Sequence, residues 1–329
     1  MSSNFNHQLT PIAPGFSVPD PSPTPPVVAV VVCTHEPRLD YLQRTLAGLR
    51  AQSLSPTEWE LVIVDNASAT PLAPGIDLTW HPHAKCVSEP ALGLTHARIR
   101  GIVESTAMLL VFVDDDNVLA SDYLRAAIEI GRSHSFLGAW GGRINGVYEI
   151  PPPDFCRDNA HMLAIRNVPQ DLWGNTTEDF RAVPCGAGMC IRRIVAELWM
   201  ADVNARPATL KLGRIGKHLG ACEDGHLALV SGHLGLGTGV FRRLSLDHLI
   251  PRERMTIEYF TRLAAGHAYS YNLLRRTLGQ PLLTNQQSGF ERLVTLCRRW
   301  RATSAQRSIE RAMEQSRADS LRDLGQDVS

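Results

Sequence analysis

Met108-Leu-Leu-Val-Phe-Val-Asp-Asp-Asp116 sets six apolar residues directly against three carboxylates. A short run that is apolar on every side reads as a strand buried on both faces, the mark of a parallel sheet. Three adjacent carboxylates at its end repel one another, and a hard divalent cation such as Mg²⁺ or Mn²⁺ would relieve that repulsion. A solvated acidic turn is the plainer alternative. Two runs of the same kind precede it. Val27 to Cys33 ends in Thr34-His35, and Trp59 to Val64 ends in Asp65-Asn66. Between and after these runs the apolar period becomes helical. Leu42, Leu46 and Leu49 form a stripe in 41–51; Leu94, Ala97, Ile99 and Ile102 form one in 92–105; a third helix is expected over 123–131.

Strand and helix alternation predicts an α/β domain with a largely parallel central sheet. In such sheets ligands bind outside the carboxyl ends of the strands, where three strands here deliver polar residues. Farther along, 140–185 is interrupted by glycine and proline and reads as irregular. Residues 191–201 read as a helix, 213–239 as a glycine-rich stretch, 255–278 as a long helix, and 289–324 as an arginine-rich helical region. Residues 1–26 carry seven prolines and read as a disordered tail.

The chain has 329 residues, with 33 basic and 33 acidic side chains. A balance of zero argues against a general nucleic-acid binder, which would be basic. Residues 1–240 hold 18 basic and 24 acidic groups, and 241–329 hold 15 and 9. The arginine-rich end could touch an anionic membrane surface, although its six acids favour a helix packed on its own domain. The seven cysteines include no Cys-x-x-Cys pair, so free thiols in a reducing, cytoplasmic setting are expected. The longest apolar run falls well short of the ~20 residues a spanning helix needs. Asn175-Thr-Thr177 matches a glycosylation sequon with no secretory context, and Trp173 reads as a core residue. Arg252 and Arg254 could pair with a phosphate or lie on a solvated face.

Cys222-Glu-Asp224 opens a short helix inside glycines, which suits either dipole-stabilised acids or a general base. Together these pieces resemble a family 2 glycosyltransferase of the inverting, GT-A type, over about residues 27–250. Val30 to Pro37 and Glu60 to Ser68 resemble its two nucleotide loops, and Gly93 to Gly101 its Ala-Arg helix. Val111 to Asn117 resembles its DxD strand, Pro184 to Arg193 its glycine-rich segment, and Cys222 to Asp224 its late acidic motif. The chain departs from the pattern at His35-Glu36 and at Ile99.

The resemblance implies a Rossmann-like sheet flanked by helices. It implies a nucleotide-binding half at 27–135, an acceptor half at 136–250 and a helical C-terminal extension at 251–329. It implies transfer of a sugar from a nucleotide-sugar donor, UDP-linked before others, to a saccharide or lipid-linked hydroxyl in polysaccharide or glycoconjugate assembly. Thr34, Glu36 and Asp65 would meet the nucleotide, Arg98 would brace it, and Asp114 and Asp115 would contact the donor. Asp116 and His248 would hold Mg²⁺ or Mn²⁺. Gly186, Ala187, Gly188 and Glu223 would line the substrate cleft, and Asp224 would be the base. The competing readings are a nucleotidyltransferase, which wants a glycine-rich basic loop where Thr34-His-Glu-Pro37 stands, and a non-catalytic nucleotide-binding scaffold.

Overall fold

The computed structural model describes residues 26–177, 179–216, 218–285 and 302–325. The proline-rich tail and the arginines at 292, 298, 299 and 301 lie outside these residues. The first half runs β1 (Val28–Thr34), α1 (Leu39–Arg50), β2 (Trp59–Asn66), β3 (Ala84–Glu89), α2 (Leu94–Glu104), β4 (Leu109–Asp114), β5 (Asn117–Leu119) and α3 (Tyr123–Ser133). It continues with β6 (Leu137–Tyr148), α4 (Asp154–Asp158), β7 (Leu172–Gly174), β8 (Cys190–Arg192), α5 (Arg193–Ala205), β9 (Arg214–Ile215), β10 (His218–Leu219), α6 (Glu223–Leu229), β11 (Gly237–Ile250), α7 (Ile257–Thr277) and α8 (Ser304–Gly325).

Nine strands form one sheet in the order β3-β2-β1-β4-β8-β6-β11-β5, with β7 pairing β11. β9 and β10 make a separate hairpin. β1 pairs in parallel with β2 and β4, so Thr34 stands level with Asp65 and Cys33 level with Asp114. The register therefore collects the polar strand ends at one edge. Side chains alternate between two buried layers. Val28, Val30 and Val32 join α1 and α3 on one face; Ala29, Val31 and Cys33 join α2, α5 and α6 on the other. Burial on both faces explains why β1 is a continuous apolar run.

Of the eleven strands among the described residues the sequence reading names only β1, β2 and β4, and three of the others show why. β3 is an edge strand with only intermediate and exposed residues, so it lacks the buried-run signal. β6 occupies part of the stretch expected to be irregular. Its Gly142 sits against β11, where a Cβ would collide with the Leu244 backbone carbonyl, so glycine here permits close strand packing rather than a break. β11 only begins in the glycine-rich stretch, where Gly237 packs against the Gly174 backbone of β7, and it carries a register shift between Phe241 and Ser245. Gly101 plays the matching part on α2, where a Cβ would run into Val31 of β1. That contact seats α2 directly on the sheet.

Helices α7 and α8 pack into the body of the molecule. Leu273 and Leu274 of α7 and Leu324 of α8 belong to the same apolar cluster as Val31 and Trp199. α8 lies along α7, with Ser320 Oγ accepting from the buried Asn272 amide at 2.8 Å. The described arginines of α8 share the helix with acids, including the Arg322–Asp319 pair. Trp173, expected in the core, is 51% exposed and stacks on Phe241. The six cysteines among the described residues are free. No helix among them is long and apolar enough to cross a membrane.

Candidate active site

The strand ends open onto a cavity of about 510 Å³. β1 contributes Cys33 and Thr34, with His35 just beyond it. β2 contributes Asn66, β4 and its loop Asp114 to Asp116, α2 Arg98, and the N-terminus of α6 Glu223 and Asp224. Gly186 and Ala187 form one wall, and His248 and Arg254 another.

The three consecutive aspartates have different surroundings. Asp114 is partly exposed, and its nearest cation is Arg98 Nη2 at 4.0 Å. Asp115 turns back into the protein and accepts a hydrogen bond from the Thr34 hydroxyl. Burial first, and then the neighbouring Asp116 charge, push its carboxyl up to about 7. Asp116 is buried, with Oδ1 accepting from Asn117 Nδ2 at 2.9 Å and Oδ2 from Arg254 Nη1 at 2.9 Å. Burial works against its charge. The His248 imidazole and the Arg254 guanidinium outweigh burial and hold the carboxyl well below the usual carboxylate range.

β11 brings His248 to this point by pairing it with Asn117 of β5. Its Nδ1 lies 3.0 Å from the Leu163 carbonyl. A carbonyl only accepts, so Nδ1 carries the proton and Nε2 presents a lone pair. That nitrogen is 3.4 Å from Asp116 Oδ2. A carboxylate and an imidazole lone pair converging in a buried wall are a donor set suited to a divalent cation. Among the described residues no third carboxylate, imidazole or thiolate joins them. The protein would thus supply two ligands, in keeping with Mg²⁺, which keeps waters and takes substrate phosphates.

Across the cavity Arg98 and Glu223 form a buried ion pair. Their side chains are 3% and 4% exposed, and the guanidinium also lies over the Phe112 ring. Burial raises Glu223 to about 7 even though Arg98 works in the other direction. An acid whose pKa is higher folded than unfolded favours the folded state most when protonated. Its contribution is full below the ordinary glutamate value of 4.5 and is lost as the pH rises toward about 7. Glu223→Gln should therefore flatten the pH dependence of unfolding free energy between pH 5 and pH 7 by up to roughly one proton. Denaturant titrations at several pH values would test this, and identical slopes in both proteins would refute it.

Asp224, the adjacent residue, is placed differently. Its Oδ2 accepts from the Gly186 amide and its Oδ1 from the Gly225 amide, each at 2.8 Å. Two backbone donors fix the carboxylate at the cavity wall, and among the described residues no ion pair ties it down. Gly186 has no room for a side chain, because a Cβ there would meet Arg98.

Several expected site residues lie elsewhere. Glu36 is exposed at φ 48° and does not line the cavity. Its carboxylate accepts from the Ala69 amide at 2.6 Å, which ties the loop after β1 to the loop after β2. A side chain committed to that brace is turned from the cavity. Gly188 also stays behind the wall, accepting the Tyr123 hydroxyl at 2.6 Å and donating to Phe112 O at 2.9 Å. Asp65 is buried beside the cavity rather than in its lining. Its Oδ2 accepts from the Leu72 amide at 2.9 Å, while Oδ1 has no partner among the described residues.

The cavity also holds residues that no local pattern marked. Arg214 comes from the β9–β10 hairpin, and Tyr259 and His267 from α7. Burial, with Arg214 nearby, lowers His267 to about 4. The helix that carries Tyr259 and His267 had only a core period to show, so nothing in the sequence separated them from packing residues.

Residues 29–190 match the model of the family described as Glycosyl transferase family 2. The matched span holds Thr34, Arg98 and the three aspartates, and it ends before Glu223, Asp224, His248 and Arg254. None of the curated proteins matches the chain. Among solved structures, S. aureus TarS 1-349 is similar at 16% identity, covering 76% of this chain and 70% of that one, with a TM-score of 0.46. The same TarS fragment in complex with UDP-GlcNAc gives 16% identity, 76% and 71% coverage, and a TM-score of 0.48.

Proposed function

We propose, for a chain that is a family 2 glycosyltransferase over residues 29–190, that Asp224 is the base of an inverting sugar transfer from a nucleoside-diphosphate sugar. The acceptor is a hydroxyl on a saccharide or lipid-linked substrate. The observation that carries this reading is the Asp224 carboxylate, fixed by two backbone amides and, among the described residues, in no ion pair, at the wall of a cavity ringed by strand ends.

A sugar hydroxyl is a weak nucleophile, and a positioned base is worth ~10²–10⁴-fold. Asp224 takes the hydroxyl proton as the oxygen attacks the anomeric carbon from the face opposite the diphosphate. The bond to the departing phosphate oxygen breaks and the configuration inverts. Glu223 does not compete for this role, because its carboxylate is committed to Arg98. Asp116 and His248 would hold Mg²⁺ or Mn²⁺, which would neutralise charge developing on the leaving diphosphate. The donor is read as UDP-linked from the resemblance of the sequence to the family; Asp65, buried beside the cavity, does not distinguish one base from another.

The test is a thermal-shift screen of UDP, GDP, CDP and dTDP, each with and without Mn²⁺. UDP with Mn²⁺ should raise the melting temperature most; a ligand at 100 times its Kd adds about 2.7 kcal/mol. If no nucleotide shifts the folded protein, the donor-site reading fails.

A further inference from the structure

One side chain at this site has no part in the reaction described so far. Arg254 lies on the short turn 252–255 between β11 and α7. Its Nη1 is 2.9 Å from Asp116 Oδ2 and 3.3 Å from His248 Nε2. These are the two atoms that would hold the divalent cation. Both present lone pairs to the guanidinium, so the pair already serves one cation. Asp116 and His248 are each 7% exposed, whereas Arg254 is 25% exposed and faces the cavity. The two acceptors are therefore fixed in the wall, and the arginine is the member able to leave. A carboxylate this deeply buried is costly without a positive partner, so the site needs a cation at all times.

We propose that Arg254 is a resident counter-cation that yields the Asp116–His248 pair to the divalent ion and then binds the donor diphosphate. The proposal rests on the donor-site reading above. A divalent ion and the guanidinium repel each other when both sit against Asp116 Oδ2 and His248 Nε2, and Nε2 has one lone pair to give. Entry of the metal therefore expels the guanidinium, and a displaced guanidinium beside a diphosphate finds a bidentate partner. The exchange is reciprocal: diphosphate drawing Arg254 away frees the metal site, and metal freeing Arg254 creates the diphosphate site. By linkage, each ligand then tightens the other by the same factor. The arrangement keeps Asp116 compensated in the empty enzyme and makes metal and donor arrive together.

Mn²⁺ affinity can be read without turnover, by electron paramagnetic resonance of the free ion, with and without UDP. In wild type, UDP should tighten Mn²⁺ strongly. Arg254→Met removes the competing charge, so Mn²⁺ alone should bind about tenfold tighter or more, within the roughly 5–150-fold range of such couplings. UDP should bind that variant more weakly, and the coupling between the two ligands should shrink. Arg254→Lys keeps a competing cation and should stay near wild type in Mn²⁺ affinity. It also controls for a folding defect in the methionine variant. Mn²⁺ affinity in Arg254→Met equal to or weaker than wild type, with Arg254→Lys folded and binding, overturns the counter-cation role and leaves the donor-site reading intact. Failure of every form to bind either Mn²⁺ or UDP overturns both.

Discussion

Asp224→Asn is expected to leave nucleotide affinity within about twofold of wild type and to cut turnover by ~10²–10⁴-fold, the range of a positioned base. The substitution keeps the shape of the side chain and removes its basicity. It also turns an NH₂ toward one of the two amides that now donate to the carboxylate. Some loss of melting temperature should accompany the loss of rate. Asp224→Ala separates the two effects. With no side chain to misorient, it should regain measurable activity when formate is added, because a small carboxylate can enter the space and take the proton. Turnover of Asp224→Asn within tenfold of wild type would remove Asp224 from the mechanism.

Arg98→Met should be the most damaging substitution to stability, costing about 3–5 kcal/mol, because it leaves the buried Glu223 carboxylate without its cation. The loss should be larger at pH 8 than at pH 5. Glu223 takes up a proton across that interval, and a neutral carboxyl is cheaper to bury. Arg98→Met combined with Glu223→Gln should recover most of the stability, since both charges are then gone. Denaturant titrations of the three chains at the two pH values measure all of this. A single variant as stable as wild type would show that the pair is not held in a dry environment. Recovery of stability in the double variant without recovery of activity would mark Arg98 as a brace for Asp114 beyond its structural work.

The strand-end half of the cavity was legible because its signals are local. An apolar run ending in aspartates states both the strand and the edge at which the carboxylates stand, and Thr34 and Asp65 follow from the same rule. Glu36 failed that rule because one positive φ turned it toward the next loop instead. The other half was hidden by distance. Arg254 and Asp116 are 138 residues apart, and Arg98 and Glu223 are 125 apart. No period or spacing links them; only the order of strands does. β6 and the start of β11 were hidden by their glycines, which weaken the strand pattern in the places where two backbones approach most closely.

The position of β11 has a consequence for biosynthesis. It is the last strand made, yet it lies inside the sheet between β6 and β5, and it fixes Asn117 in register with His248. A nascent chain that has reached residue 190 has β1, β2 and β4 to assemble, but β6 is an open edge and Asp116 lacks both His248 and Arg254. An unpaired edge of this kind is a hazard for a growing chain and an attractive surface for chaperones. Long-range pairing of this sort is also slow. The strands that carry Thr34 and Asp114 therefore precede in synthesis the strand that carries His248 to the cavity wall.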